Sequence, residues 1–207
     1  MMALCTAGLW AKVDIQSDSL RILQRGEVNQ FTGNVVIVSD NIRVNAKKAV
    51  SRKNESIVEA TGDVFVTYSS GTWKVESWCS SLKIMLDEEK FEMTGDVRSD
   101  YREAGSTVST LMNADKATFY YGGEQKAFFE GSVKAVREGI TVNSGRAFYS
   151  QYIDMIEFTQ DPVARSATET LTSVYSGDII NLYTEVKRIK ITGNANTKVF
   201  FKNEPGM

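Results

Sequence analysis

A short glycine-centred motif recurs six times along the chain, and it constrains the fold more than any other feature. The central positions are separated by 29, 33, 36, 29 and 33 residues, and five of the six are glycine, with Gln160 as the exception. The motif occupies residues 31–35, 60–64, 93–97, 129–133, 158–162 and 191–195. A period of about 30 residues is typical of stacked units, none of which can bury its apolar face alone. The sequence therefore predicts a repeat-built architecture.

The residues around each centre alternate between apolar and polar. The positions two before and two after the centre are apolar in every copy, and the immediate neighbours are polar. This period of two indicates a strand with one buried face. A second alternating motif occurs between the glycines and ends in a small residue, where we expect a turn; its copies are residues 42–46, 73–77, 110–114, 140–144 and 173–177.

These patterns predict about three short strands in each repeat, joined at polar turns such as residues 39–41, 69–71 and 121–123. No segment shows the 3.6-residue period of an amphipathic helix. The predicted fold class is all-β.

Two closures of such a sheet are possible. The layers could form a closed solenoid filled by its own side chains, or two sheets could fold towards each other like a taco, with an open seam. The inward residues are small to medium after the glycine and mostly larger before it, and the repeat lengths are irregular. Both features favour the open groove. In either case the first and last layers expose strand edges, which invite pairing with another chain.

Composition excludes several classes of function. A formal net charge of −2 provides no basic footprint for nucleic acid. The absence of histidine removes Ser–His–Asp and Cys–His catalysis and most zinc sites. We therefore predict no catalytic residue, no metal site and no cofactor. Cys79, the single cysteine after the N-terminal segment, is expected to be inert.

Residues 1–11 contain no charge and are mostly apolar, but the segment is too short to span a bilayer. It is typical of the end of a secretory signal peptide, with cleavage after Ala11 or Ala7. The predicted organisation is a residual signal peptide at 1–11, one repeat-built β-domain at 12–201 and a C-terminal tail at 202–207.

An ordered set of motifs in the first 50 residues resembles the OstA-like family, which includes the lipopolysaccharide-export periplasmic protein LptA. The set comprises VDIQSD (13–18), FTGNVVI (31–37) and IRVNAKKA (42–49), and NADKA (113–117) repeats the last motif. Several residues depart from the pattern, and in the second repeat the NADKA motif is degraded to ESWCS (76–80). Lys47 stands where the family usually has Asp, and the fifth repeat has Gln160 for glycine and then Pro162, which predicts irregular structure there.

The resemblance implies a twisted, taco-shaped antiparallel groove, the OstA-like β-jellyroll, in a periplasmic protein that is not an enzyme. It implies that lipopolysaccharide acyl chains lie between the two sheets. The implied partners are further copies stacked end to end as a bridge, an inner-membrane LptC-like protein and an outer-membrane LptD-like protein. The family's lipid-contacting positions near the entry strand correspond to Val13 and Ile15.

A groove lined with apolar side chains suits such a lipid, because each acyl CH₂ is worth about 0.8 kcal/mol when it leaves water. Each predicted lining residue could equally be ordinary core. The predicted lining is Val13, Ile15, Phe31, Val35, Ile37, Val44, Val64, Val66, Met93, Val97, Met112, Phe129, Val133, Val142 and Phe158.

Two other functions remain open at the level of sequence. One is a self-assembling β-solenoid filament with a filled interior and no ligand. The other is a carbohydrate-active β-helix, which would carry carboxylates on one stacked face. The acidic residues Asp63, Asp96 and Asp161 instead fall at repeated turn and solvent positions, which disfavours the enzyme.

Overall fold

The computed structural model describes residues 13–39, 41–71, 73–103, 105–123, 125–153, 155–183 and 188–201. The predicted signal segment at 1–11 and the tail at 202–207 lie outside these residues. Within them the chain forms antiparallel strands and three single 3₁₀ turns, so the predicted all-β class is confirmed. The chain divides into two compact units, one ending at Ser109 and the other starting at Thr110.

The first unit is an antiparallel sheet in which β3 to β7 pair in chain order, while β1 and β2 both pair with β3. Short 3₁₀ turns at Gln24–Gly26 and Lys53–Glu55 connect some of its strands. The strands are β1 (Asp14–Gln16), β2 (Ser19–Leu23), β3 (Val28–Ser39), β4 (Ile42–Arg52), β5 (Ile57–Ser69), β6 (Trp73–Met85) and β7 (Lys90–Glu103).

The second unit continues the same architecture. β8, β9 and β10 pair in order, and β10 then pairs with both β11 and β12. From there β11–β14–β15 and β12–β13–β16 form separate ladders. The elements are β8 (Ser109–Tyr120), β9 (Lys126–Arg137), β10 (Ile140–Ser150), a 3₁₀ turn (Gln151–Ile153), β11 (Met155–Thr159), β12 (Val163–Ala167), β13 (Leu171–Ser176), β14 (Ile179–Tyr183), β15 (Arg188–Thr192) and β16 (Asn196–Phe201).

Each glycine motif forms a corner and not the centre of a straight strand. Gly33 and Asn34 both have positive φ, at 74° and 42°. The register between β3 and β4 shifts there by one residue, so the pair forms a β-bulge, which bends the strand without ending it. The same two-residue conformation recurs at 62–63, 95–96, 131–132, 160–161 and 193–194.

The corners correct the expectation of three short strands per repeat. β3 to β10 are long strands of 11 to 14 residues. Ala46, a small residue placed at a predicted turn, lies in the middle of β4 beside a corner. Ala46 pairs there with Val35 and is buried. The predicted turns after Ser39, Ser69 and Tyr120 are confirmed as strand ends.

The corners divide the sheet of each unit into two arms. In the first unit, the first arm comprises β2 and residues 28–32, 48–52, 57–61, 81–85 and 90–94, and the second comprises β1 and residues 35–39, 42–46, 64–69, 73–78 and 97–103. In the second unit, the first arm comprises residues 116–120, 126–130 and 146–150 with β11, β14 and β15, and the second comprises residues 109–113, 133–137 and 140–143 with β12, β13 and β16.

The apolar residues on the inner face of the two arms form the core of each unit. A single sheet layer cannot bury a whole face, yet Val44 on the second arm and Met93 on the first arm are both 0% exposed. In the second unit, Phe158 and Val142 are likewise fully buried on opposite arms. The two arms of each unit therefore face each other.

The pairing of the described strands leaves free edges at both ends. β1 and β2 pair with β3 alone, β15 pairs with β14 alone, and β16 pairs with β13 alone. All six residues of β16 are exposed, and Phe201 is exposed to 79%. The described strands pair antiparallel and the order is not closed, which excludes the stacked parallel layers of a solenoid.

Candidate functional site

The inner face of the first unit consists of rows that run from strand to strand. On the first arm one row is Leu20, Phe31, Ala49, Ala60, Leu82 and Met93. On the second arm the facing row is Ile15, Ile37, Val44, Val66, Ser77 and Ser99. Each row starts on an edge strand, so the apolar interior reaches the free N-terminal edge of the sheet. Ile22 on β2 is 57% exposed at this edge.

The second unit has the same arrangement. Its first arm carries the row Ala117, Phe129, Ala147, Phe158, Ile180 and Ile191. Its second arm carries the row Met112, Ala135, Val142, Ala164, Tyr175 and Thr197. The interior therefore ends at β15 and β16, where Thr197 and Val199 are exposed.

The structure separates the fifteen predicted lining residues into two groups. Thirteen are buried side chains of the inner face, with exposed fractions of 7% or less. Val13 and Ile15 are half-buried at the N-terminal edge. Lipid contact by any of the fifteen stays a prediction. In this state the thirteen pack as core, so a ligand between the arms would have to part them.

Several inner residues lie outside the repeated motifs and were missed by sequence reasoning. Leu82 and Ile84 on β6 and Phe91 on β7 are each 1% exposed. On β14, Ile180 and Leu182 occupy equivalent inner positions. The sequence contains a signal for them, because each of these residues alternates with a more exposed polar or charged neighbour. This alternation lies away from the glycine motif on which the prediction was built.

A polar patch interrupts the apolar row on the second arm. The Ser77 hydroxyl donates a hydrogen bond of 2.8 Å to the Ser99 hydroxyl, and both residues are almost completely buried. The pair satisfies two buried hydroxyl groups that would otherwise each be costly. The row is therefore apolar from Ile15 to Val66 and polar at the serine pair.

The Cys79 thiol lies on the inner side of the corner and is buried. Burial raises its pKa to about 12, and a backbone hydrogen bond at Ser81 lowers it in part. The thiol is therefore protonated at neutral pH and is a poor nucleophile. This agrees with the expectation that it is inert.

On the outer side, the central residue of each corner faces a residue fifteen or sixteen positions earlier, which lies in the neighbouring strand or in the break between two neighbouring strands. Asn34 donates through Nδ2 to Asp18 at 2.9 Å, and Asn194 does the same to Asp178 at 3.0 Å. In the second repeat the corner residue is Asp63, and it forms an ion pair with Lys47. Lys47, which departs from the family pattern, is therefore compensated by a carboxylate at the corner.

The lost glycine at Gln160 is compensated in a similar way. At the other corners the facing residue approaches the glycine closely; a Cβ built on Gly62 would lie 2.9 Å from the Cβ of Lys47. Opposite Gln160 the facing residue is itself a glycine, Gly145, whose Cβ would lie 2.8 Å from that of Gln160. At this corner the side chain belongs to the corner residue, Gln160, and the glycine belongs to the facing strand. The predicted irregularity appears beside it, because Pro162 separates β11 from β12.

The described side chains contain no group of three or more acidic, cysteine or histidine residues placed to hold a metal ion. No helix in this part of the chain is long and apolar enough to cross a membrane.

Antiparallel strands, bent at repeated corners around an apolar interior that opens at the sheet edges, define an OstA-like β-jellyroll. Residues 14–118, about half of the chain, match the family described as the LptA/(LptD N-terminal domain) LPS transport protein family. The protein belongs to this family of lipopolysaccharide transport proteins.

One of the solved structures that the chain resembles is LptH from Pseudomonas aeruginosa, described as the LptA homologous periplasmic component of the lipopolysaccharide transport device. The identity is 12%, the match covers 52% of this chain and 74% of that one, and the TM-score is 0.44. No curated protein sequence matches the chain.

Proposed function

We propose that the protein is a periplasmic carrier that holds the acyl chains of lipopolysaccharide between its arms and passes the lipid from the inner towards the outer membrane. The observation that carries the proposal is the family match over residues 14–118. The carrier has no catalytic step. Its work is to provide an apolar environment, since each acyl CH₂ exposed to water costs about 0.8 kcal/mol.

The free N-terminal edge is the proposed point of entry. Ile15, Leu20 and Ile22 lie there on the inner face with at most partial burial, whereas the rows that start at Ile15 and Leu20 are buried from β3 onwards. When an acyl chain inserts between the arms, residues such as Ile37 and Val44 lose contacts with other core side chains and gain contacts with the lipid. Transfer can then be nearly isoenergetic, because apolar contact is exchanged and not lost.

The order of corners along the chain supports end-to-end assembly. Strands that carry a facing residue alternate with strands that carry a corner. The described chain starts with a facing residue, Asp18, and ends with a corner, Gly193–Asn194. A second copy that adds its β1 and β2 to β15 and β16 therefore continues the alternation, and with antiparallel strands.

The register of this junction follows from the register inside the molecule. The residue before a corner glycine pairs with the residue after the facing position of the next strand, as in Thr32 with Lys48 and Thr61 with Ser81. Applied to two copies, the rule pairs Ile191 with Leu20, Thr197 with Ile15, and Lys198 with Asp14. Apolar and uncharged residues then meet on the inner face. On the outer face Lys198 meets Asp14, an opposite charge, whereas Lys190 meets Arg21, a like charge. LptC-like and LptD-like partners would use the same two edges.

A photo-crosslinking residue at Ile15 in living cells tests the carrier. We expect an adduct with lipopolysaccharide from Ile15 and none from Asp63, an exposed corner residue in an ion pair on the outer side. If Ile15 links to another copy of the protein but never to lipid, the carrier is wrong and a structural filament is favoured.

A disulfide between copies tests the junction. With Cys5 replaced by Ser, the variant Ile15→Cys/Thr197→Cys should form a ladder of covalent oligomers under mild oxidation, since directly opposed residues have Cβ atoms about 4.5–5.5 Å apart. The control, Gln16→Cys/Thr197→Cys, shifts one cysteine to the opposite face of the strand. Buried Cys79 adds little background. Equal ladders from both variants would contradict the proposed register.

A further inference from the structure

A pocket of about 430 Å³ lies on the outer face of the second arm of the second unit, away from the proposed lipid interior. It is lined by Arg165 on β12, Thr172 and Val174 on β13, and Lys198 and Phe200 on β16. The neighbours of these residues along the strands, such as Ala164 and Ser173, point to the other face and are buried. The pocket is therefore separate from the inner rows.

Two cations stand on either side of the pocket. Arg165, Val174 and Lys198 are directly opposed on three adjacent strands. The Cα atoms of the two cations are therefore roughly 10 Å apart, twice the spacing between neighbouring strands. Both residues are exposed, and none of the ion pairs formed by the described residues includes either of them. Their long side chains can converge on one anion above Val174.

The floor and one wall of the pocket are apolar. Val174 lies between the cations, and Phe200, in the adjacent row opposite Thr172, is 55% exposed. The pocket therefore combines an apolar surface with two cations at its sides. The Thr172 hydroxyl adds a group that can donate a hydrogen bond to an anion.

We propose that this pocket binds a phosphate monoester that carries an apolar substituent. A phosphate monoester has a charge of about −1.5 to −2 at neutral pH, which matches two cations better than a carboxylate does. Guanidinium and ammonium groups are the usual partners of phosphate oxygens. The apolar substituent covers Val174 and Phe200. The proposal does not depend on lipid transport through the interior.

Calorimetric titration of the full chain with n-hexyl phosphate and with inorganic phosphate tests the pocket. We expect hexyl phosphate to bind at least tenfold more tightly than phosphate. Arg165→Gln/Lys198→Gln should weaken the binding of hexyl phosphate at least tenfold. Phe200→Ala should bring the affinities for hexyl phosphate and inorganic phosphate within about threefold of each other. The control Lys48→Gln/Lys190→Gln removes the same charge from exposed positions outside the pocket and should change neither affinity.

A second experiment distinguishes a lipid headgroup from a free ester as the ligand. Vesicles of phosphatidylcholine with and without phosphatidic acid are sedimented with the wild-type chain and with the double variant. Retention that requires both phosphatidic acid and the two cations supports the pocket with a membrane lipid as the ligand, even without binding of hexyl phosphate. The proposal is overturned if neither probe binds. It is also overturned if the double variant binds as well as the wild-type chain and has the same unfolding midpoint.

The protein concentration in these titrations is set where light scattering shows a monomer. The proposed junction would place Asp14 of a second copy opposite Lys198, and stacking would then compete with the anion. In the monomer, a failure of the pocket is distinguishable from a failure of the stacking.

Discussion

Replacing Phe129 by alanine is expected to lower the free energy of unfolding by about 3–5 kcal/mol. The ring is 1% exposed on the first arm of the second unit and meets the ring of Phe119 edge to face at 5.7 Å. Truncation removes most of a buried aromatic side chain and leaves a cavity between arms that cannot collapse fully. Chemical denaturation followed by circular dichroism measures the change.

Phe200→Ala is the matched control for this prediction. The same truncation on β16 removes a ring that is already 55% exposed, so the change should stay within about 0.5 kcal/mol. A loss of less than about 1 kcal/mol for Phe129→Ala would mean that the interior is not close-packed at this position. The interior would then be a preformed cavity, and lipid would not need to part the arms.

The second large effect is expected at a corner. Gly62→Ala should destabilise the protein by about 1–3 kcal/mol, because a non-glycine residue is strained at positive φ. Gly62 has φ of +82°, and the added Cβ would also lie 2.9 Å from the Cβ of Lys47. The free energy of unfolding from urea denaturation measures the change.

Two further variants identify the cause. Gly71→Ala introduces the same methyl group in open space without a positive φ and should be nearly neutral. Adding Lys47→Gly to Gly62→Ala should recover the steric part of the loss, as the natural pair of Gln160 and Gly145 suggests. If Gly62→Ala proves as neutral as Gly71→Ala, this corner does not require glycine.

Sequence reasoning predicted the inner face well and the corners poorly. Residues such as Ile37 and Val44 alternate strictly with polar neighbours, and alternation along one strand is a local property that the sequence displays directly. The glycine at position 33 looked like the centre of a straight strand, because the one-residue bulge keeps apolar residues Phe31 and Val35 on the same side. The bulge shows in the pairing register with β4 and in the positive φ of Gly33 and Asn34.

The departures at Lys47 and Gln160 illustrate the same limit. In the sequence each is an isolated mismatch to a motif. In the structure each faces its compensating partner, Asp63 and Gly145, across a pair of strands. Compensation between residues some fifteen positions apart cannot be recognised until the strands that bring them together are known.

The sequence by itself determined the strand content, the repeat, the family and the identity of most inner residues, because a period of two and a recurring glycine are encoded residue by residue. Tertiary structure alone decided that the strands bend at shared corners. It also decided that the predicted lining is closed core except at the N-terminal edge, and that two cations meet an exposed ring on the outer face. Each of these features depends on which residues oppose one another across strands, and that is a property of the pairing register.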